Sequence, residues 1–180
     1  DFVMGFGDLL RNTTIQKLAQ DMLMRMDAET AHRATINALK FGLVPAAAPS
    51  PDSLATRFCG LDLPNPIVMA PGFDKNAEVF GPLAKAGFGF VEVGTVTPRP
   101  QQGNPTPRVF RIPEVMGVVN RLGFNNDGHE AAFERLKNRV PGQVVGINIG
   151  ANKDSTDFVA DYVAGVKTFS PLADYLTANI

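Results

Sequence analysis

The residues best suited to chemistry are one lysine and a set of amides that recur beside apolar runs. Lys75 closes the segment Pro71-Gly-Phe-Asp-Lys75, just past an apolar stretch. Gly72 lets backbone come close to a flat ligand, and a lysine there can meet a carboxylate or the electron-rich end of a planar ring. Asn148 and Asn179 interrupt apolar runs, where a turn role is unavailable. Asn120 opens the Gly-containing segment Asn120-Arg-Leu-Gly-Phe-Asn-Asn126. An amide both donates and accepts, so these side chains suit a ligand with imide-like edges. Thr95 can hydrogen-bond a ring or satisfy local backbone. Blander readings apply elsewhere. Lys75 alone is equally a solvated surface residue, and Asn125 and Asn126 are turn residues. Arg108 and Arg111 flank Val109-Phe110 as a charged surface ribbon, and a lone helical His32 is structural or solvated. Cys59 reads as a small buried apolar residue.

These residues need a scaffold, and the hydrophobic pattern supplies one. Short apolar runs at 67–69, 90–93, 144–149 and 175–180 predict strands, and the stretches 76–86, 128–139 and 156–169 predict helices. Asp74 or Asn76 can cap the first helix and Ser155 the last, and Gly87 can end the first. Residues 56–59 and 61–63 predict a hairpin around Gly60. Buried strands separated by helices imply a parallel α/β sheet with right-handed crossovers. Each predicted strand runs into small, polar or amide residues. In a (β/α)₈ TIM barrel these strand ends form the active-site face, and four strands make about half of one. A doubly wound sheet is the competing architecture, but the Gly-x-Gly-x-x-Gly expected after its first strand is absent. The stretch 98–126 is too long for an ordinary βα loop and predicts a functional insertion.

Residues 8 to about 42 have helical patterning. Ile15, Leu18, Ala19, Met22, Leu23 and Met26 form one stripe. Asp27 can cap a second helix through Ala31, Ala34, Ile36 and Leu39, which Gly42 and Pro45 can stop. The resulting plan is a helical extension over 1–44, a stiff Pro/Ala linker over 45–53, and barrel from 54 to 180. The 180 residues carry a net charge of −1, which argues against a nucleic-acid footprint. One cysteine excludes an internal disulfide and fits a reducing compartment; with only two histidines it leaves no zinc set, so no metal is expected. No run approaches the roughly 18 apolar residues of a membrane span. No signal peptide is visible, although the sequence starts at Asp1 rather than Met.

Several long motifs, in collinear order from about residue 27, resemble the class 2, quinone-linked dihydroorotate dehydrogenases. They are Asn65-Pro-Ile-Val-Met-Ala-Pro-Gly-Phe-Asp-Lys75, the stretch from Gly87 to Pro100 centred on Val-Glu-Val-Gly-Thr95, Gly103-Asn-Pro-Thr-Pro-Arg-Val-Phe-Arg111, Asn120-Arg-Leu-Gly-Phe-Asn125, Gly146-Ile-Asn-Ile-Gly150 and Pro171-Leu-Ala-Asp-Tyr-Leu176. The resemblance implies an FMN-binding barrel behind a two-helix extension. The reaction would be oxidation of dihydroorotate to orotate in pyrimidine (UMP) biosynthesis, with a ubiquinone-type quinone as final acceptor. In that chemistry a base takes the C5 proton while hydride passes from C6 to flavin N5. By position, Pro71, Gly72, Phe73, Asp74, Lys75, Thr95, Asn148 and Asn179 would contact FMN. Lys75, Asn120, Arg121, Leu122, Gly123, Phe124 and Asn179 would contact substrate, and His32 and Arg111 match polar residues of the quinone site. The amphipathic helices suit a peripheral membrane contact, on the cytoplasmic face of a bacterial inner membrane or on the mitochondrial inner membrane. The family's serine base follows the fourth strand, so it is expected just after Ile180, and the 180 residues alone are expected to be inactive. A soluble-type dihydroorotate dehydrogenase and a non-catalytic half-barrel that pairs or binds membranes are the alternatives.

Overall fold

A computed structural model describes residues 12–180; residues 8–11, where the predicted helical patterning begins, lie outside the described residues. Among the described residues two helices come first, α1 (Thr13–Arg25) and α2 (Ala28–Lys40). Asn12 caps α1 by accepting from the amides of Thr14 and Ile15, and Asp27 caps α2 by accepting from Thr30. The helices differ in what they bury. Helix α2 sinks Ala31, Ile36 and Leu39 into the core, whereas α1 buries none of its residues. Full burial of Ile36 and Leu39 is worth roughly 1.5–3 kcal/mol each.

The Pro/Ala segment that follows is pinned rather than free. The Ala47 amide donates to Lys85 O, and Asn65 donates to Ser50 Oγ. A single 3₁₀ turn (Asp52–Leu54) leads into the hairpin β1 (Thr56–Phe58) and β2 (Leu61–Leu63). Phe58 pairs with Leu61, so Cys59 and Gly60 are the two turn residues, and both have positive φ (49° and 84°). That is the geometry of a type I′ turn. Cys59 is therefore exposed at the turn, not buried as the sequence suggested.

The remaining strands are β3 (Val68–Met69), β4 (Phe90–Val96), β5 (Val109–Ile112), β6 (Gly117–Asn120), β7 (Val145–Ile149) and β8 (Tyr175–Ala178). The remaining helices are α3 (Phe80–Lys85), α4 (Gly128–Leu136) and α5 (Phe158–Phe169). Strands β3, β4, β7 and β8 form one parallel sheet in that order. The order follows the sequence without reversal, which is barrel topology rather than a doubly wound sheet. Val91, Val93, Val145, Ile147 and Ile149 pack with Leu83, Ala132, Leu136 and Phe169 of the three helices and with Ile36 and Leu39 of α2. The other face carries Glu92 and Asn148, so apolar and polar residues alternate across the strands.

Several predicted boundaries shift. Helix α3 starts at Phe80 rather than 76, because Asp74 accepts from the amides of Glu78 and Val79 in an irregular turn and Ala77 has φ +56°. Neither Asp74 nor Asn76 caps it. Asp157, not Ser155, caps α5 by accepting from Ala160. Strand β8 ends at Ala178, which leaves Asn179 beyond it. The long stretch after β4, expected as an insertion without assigned elements, contains the antiparallel hairpin β5–β6.

That hairpin holds the helix pair. Arg108 makes two parallel hydrogen bonds to Glu29 of α2, at 2.9 and 2.8 Å, and also donates to Gln102 O and Asn104 O. Only 12% of its side chain is exposed, so the surface-ribbon expectation fails for Arg108. Arg111 donates to the carbonyls of Leu23, Met24 and Met26 at the end of α1, where a cation also complements the helix dipole. On the other flank, Glu78 pairs with Arg33 and Lys40 of α2. Burial alone would push the Glu78 carboxyl up, but those two cations hold it below its ordinary value. Truncating Arg108 to Ala would leave Glu29 without its partner. We expect a loss of about 2 kcal/mol in urea unfolding and faster proteolytic cleavage in residues 44–51, with no change in sheet content by circular dichroism.

Candidate functional site

The site is built where strand ends meet the loop after β3. Gly94 has φ +107°, and a Cβ there would sit 2.4 Å from Asn148 O. Glycine alone fits this close approach of β4 to β7. The same residue ties down the Pro71–Lys75 segment: Gly72 N donates to Gly94 O at 2.7 Å, and Gly94 N donates to Asp74 O at 3.0 Å. The Gly94–Thr95 peptide is cis. Thr95 then faces Asn148 and donates to its Oδ1 at 2.6 Å, while Asn179 Nδ2 donates to Thr95 Oγ1 at 3.0 Å. Although Asn179 lies outside β8, its backbone is held on both sides. Its amide donates to Ile149 O, and its carbonyl accepts from Tyr162 of α5.

These residues open onto a cavity of about 330 Å³. Of the predicted residues, Pro71, Gly72, Lys75, Thr95, Asn120, Leu122, Gly123, Phe124 and Asn179 line it together. Gly123 makes the far wall possible: it has φ +72°, and a Cβ would sit 2.9 Å from Asn104. The other predicted residues lie elsewhere. Asn148 is buried beneath the wall with only 3% exposure. Asp74 is wholly buried, and its carboxylate is taken up by the amides of Glu78 and Val79. Burial pushes its carboxyl up, against the pull of those two donors. Arg121 turns away, lying over the Phe110 ring at 5.9 Å and donating to Pro107 O.

Phe73 and His32 line a second, polar cavity of about 230 Å³ under α2, which also holds Glu29 and Arg108. Lys75 and Asn125 border both cavities. His32 Nε2 lies 2.6 Å from Phe73 O, and its ring meets the Phe73 ring edge-on. Burial, and then the Lys75 charge, lower the His32 pKa. Arg111 borders neither cavity, since its guanidinium is spent on α1.

Sequence reasoning missed two members of the site. Asn125 reads as a turn residue, yet its buried Oδ1 has no partner among the described residues. Glu92 lies in an apolar strand, and only the alternation of faces could have singled it out.

Lys75 is the most distinctive group. It is half-buried, and its Nζ donates to no described residue. Burial lowers its pKa; Glu29 and Asp74 act against this, and Arg108 reinforces it. The arrangement offers a half-buried cation beside side-chain amides, which suits a planar ligand with a carboxylate.

Residues 53–180 match the family model described as Dihydroorotate dehydrogenase. The chain belongs to the dihydroorotate dehydrogenase family. It is 58% identical over 166 residues to "Dihydroorotate dehydrogenase (quinone)" of Rhizobium etli and 55% identical to that of Brucella anthropi, covering 92% of this chain and 46% of each relative. It is 54% identical to "Dihydroorotate dehydrogenase (quinone), mitochondrial" of Cyclocybe aegerita, covering 51% of that protein. Among solved structures, the dihydroorotate dehydrogenase of Eimeria tenella in complex with ferulenol superposes with a TM-score of 0.81 at 40% identity, over 85% of this chain and 43% of that one. The chain thus spans about half the length of the relatives it matches.

A lysine whose folded pKa is lowered destabilises the fold below that pKa, and a bound anion should reverse the effect. A carboxylate ligand held by Lys75 should therefore bind more weakly as pH rises through the alkaline range, starting below the ordinary lysine value. Calorimetric titration between about pH 7 and about pH 10 would read this. Lys75→Met should remove the pH dependence and about a hundredfold of affinity.

Proposed function

We propose that this chain builds half of an active site for oxidising dihydroorotate to orotate, with FMN as immediate acceptor and a ubiquinone-type quinone as final acceptor, in de novo pyrimidine (UMP) biosynthesis. The observation that carries the reading is the half-buried Lys75 ammonium, which donates to no described residue, at a cavity rimmed by Thr95, Asn120 and Asn179. The relatives' names, dihydroorotate dehydrogenase (quinone), support the dihydroorotate and quinone parts of this reading.

The residues present fit FMN. A Cβ built on Gly72 would project into open space, so a flat ring can lie against that backbone. Thr95 and Asn179 at the rim and Asn148 just beneath offer the mixed donors and acceptors that an imide edge needs. When bound, FMN supplies the two-electron acceptor for the oxidation. This chain's residues do the holding. Lys75 and Asn120 bind the substrate carboxylate and ring edges, and Phe124 covers them. The proton acceptor for C5 is assigned to the segment that follows the fourth barrel strand in the longer relatives. The polar cavity under α2, with His32 and Phe73, supports electron transfer toward a quinone beneath the helices.

The helix pair is assigned a peripheral membrane contact. Leu18 and Met22 of α1 are 61% and 63% exposed, an apolar stripe left uncovered among the described residues. Among the described residues, no helix is long and apolar enough to cross a membrane. The face is the cytoplasmic side of a bacterial inner membrane, or the mitochondrial inner membrane, the relatives being of both kinds.

The test is dihydroorotate-dependent reduction of a short-chain ubiquinone by the protein extended to the length of its relatives. FMN-dependent turnover is expected, with Lys75→Ala at least about a hundredfold slower. A flavin-loaded protein that leaves dihydroorotate unchanged would sink the proposal.

A further inference from the structure

Below the cavity, on the polar face of the sheet, lies a carboxylate that the reading above leaves unused. Glu92 of β4 accepts from two donors, Asn148 Nδ2 through Oε1 and the Tyr175 hydroxyl through Oε2, both at 2.9 Å. Tyr175 reaches it from β8 only because position 146 is glycine: a Cβ on Gly146 would sit 2.0 Å from the Tyr175 ring. The Phe90 ring meets Tyr175 at a steep angle, 6.3 Å between centroids, and keeps it in place. Burial, and then the Glu92 charge, push the Tyr175 pKa well up, so its hydroxyl keeps its proton and donates.

An ionised carboxylate only accepts, so every neighbour must turn a donor toward it. Asn148 must point its NH₂ at Glu92, which leaves Oδ1 facing Thr95. The Thr95 hydroxyl has one proton and spends it on that oxygen, at 2.6 Å. Thr95 can then only accept, and it does so from Asn179 Nδ2 at 3.0 Å. With one N–H so used, Asn179, which lines the cavity, is left with its Oδ1 and its second N–H. An amide with a neutral partner could turn over at little cost, because its two ends are nearly the same shape. Here one anion at the base fixes the sense of three successive hydrogen bonds.

We infer that Glu92 is a positioning residue: through Asn148 and Thr95 it sets which atoms the site offers to the flavin and its substrate. The inference rests on the FMN reading above. Glutamine at position 92 can keep Oε1 on Asn148 and turn its NH₂ toward the Tyr175 oxygen, which can accept, so it preserves the order of donors. Methionine fills similar space but removes it.

The experiment measures FMN dissociation by flavin fluorescence in the protein extended to the length of its relatives, with thermal melting of each apoprotein alongside. Glu92→Gln should bind FMN within about threefold of the parent and Glu92→Met about tenfold more weakly, with apoprotein melting alike in the two. Equal FMN affinity in the parent and Glu92→Met would overturn the inference, as would equal weakening in Glu92→Gln and Glu92→Met. If Glu92→Met does not fold, Glu92→Asp, which draws the charge back by one methylene, serves instead: binding about fivefold weaker supports the inference, and unchanged binding overturns it. A parent protein that binds no FMN would defeat the functional reading and this inference together, an outcome distinct from any difference among the variants.

Discussion

The site depends on the contact between β4 and β7 at Gly94. Backbone there comes so close to Asn148 O that no side chain could be accommodated, and φ is in the region open to glycine. Three consequences follow from that one approach. Thr95 is set within hydrogen-bonding distance of Asn148. The Pro71–Lys75 loop is clamped through Gly72 and Asp74, which aims Lys75 at the cavity. The register of β4 against β7 shifts between Val93 and Val96, so β4 brings Thr95 to the polar side while Val93 and Val96 stay buried.

The two faces of the sheet then divide the work. One face meets the helices with Val91, Val93, Ile147 and Ile149, and its burial supplies most of the folding drive. The other face is polar, and its groups hydrogen-bond one another, from Tyr175 through Glu92, Asn148 and Thr95 to Asn179. Thr95 and Asn148, the buried members of this chain, are tolerated there because each is paired, and pairing also makes the chain rigid. The cavity wall therefore has a fixed pattern of donors and acceptors before any ligand arrives.

Much of this was legible in the sequence, and the misses have physical causes. Strands β4 and β7 announce themselves as β-branched runs, and Lys75, Asn120 and Asn179 stand out because polar residues beside such runs need partners. Boundaries depend on single side chains that a pattern does not weigh. Asp74 takes the first amides of the would-be helix, so α3 begins later, at Phe80. The β5–β6 hairpin was hidden because Pro, Gly and Arg around it dilute its alternation, yet Val109–Ile112 and Gly117–Asn120 pair residue for residue. Cys59 was misjudged from composition, since cysteines are commonly buried; a two-residue turn with positive φ at both positions overrides that preference. Arg108 looked solvated because nothing local pairs with it, and its partner Glu29 lies 79 residues away.

The distant pairing of Arg108 with Glu29 also explains why Lys75 is free. Two carboxylates act on the Lys75 charge, Glu29 and Asp74. Glu29 is bound at both oxygens by Arg108, whose rigid guanidinium fork fits a carboxylate better than an ammonium does. Asp74 is held from behind by two backbone amides. The protein thus engages each nearby anion elsewhere and leaves a half-desolvated cation facing the cavity. Such a charge is costly to the fold, and an anion bound in the cavity would offset that cost. The helix pair, which contributes Glu29, is on this argument part of the site's electrostatics as well as a cover over it.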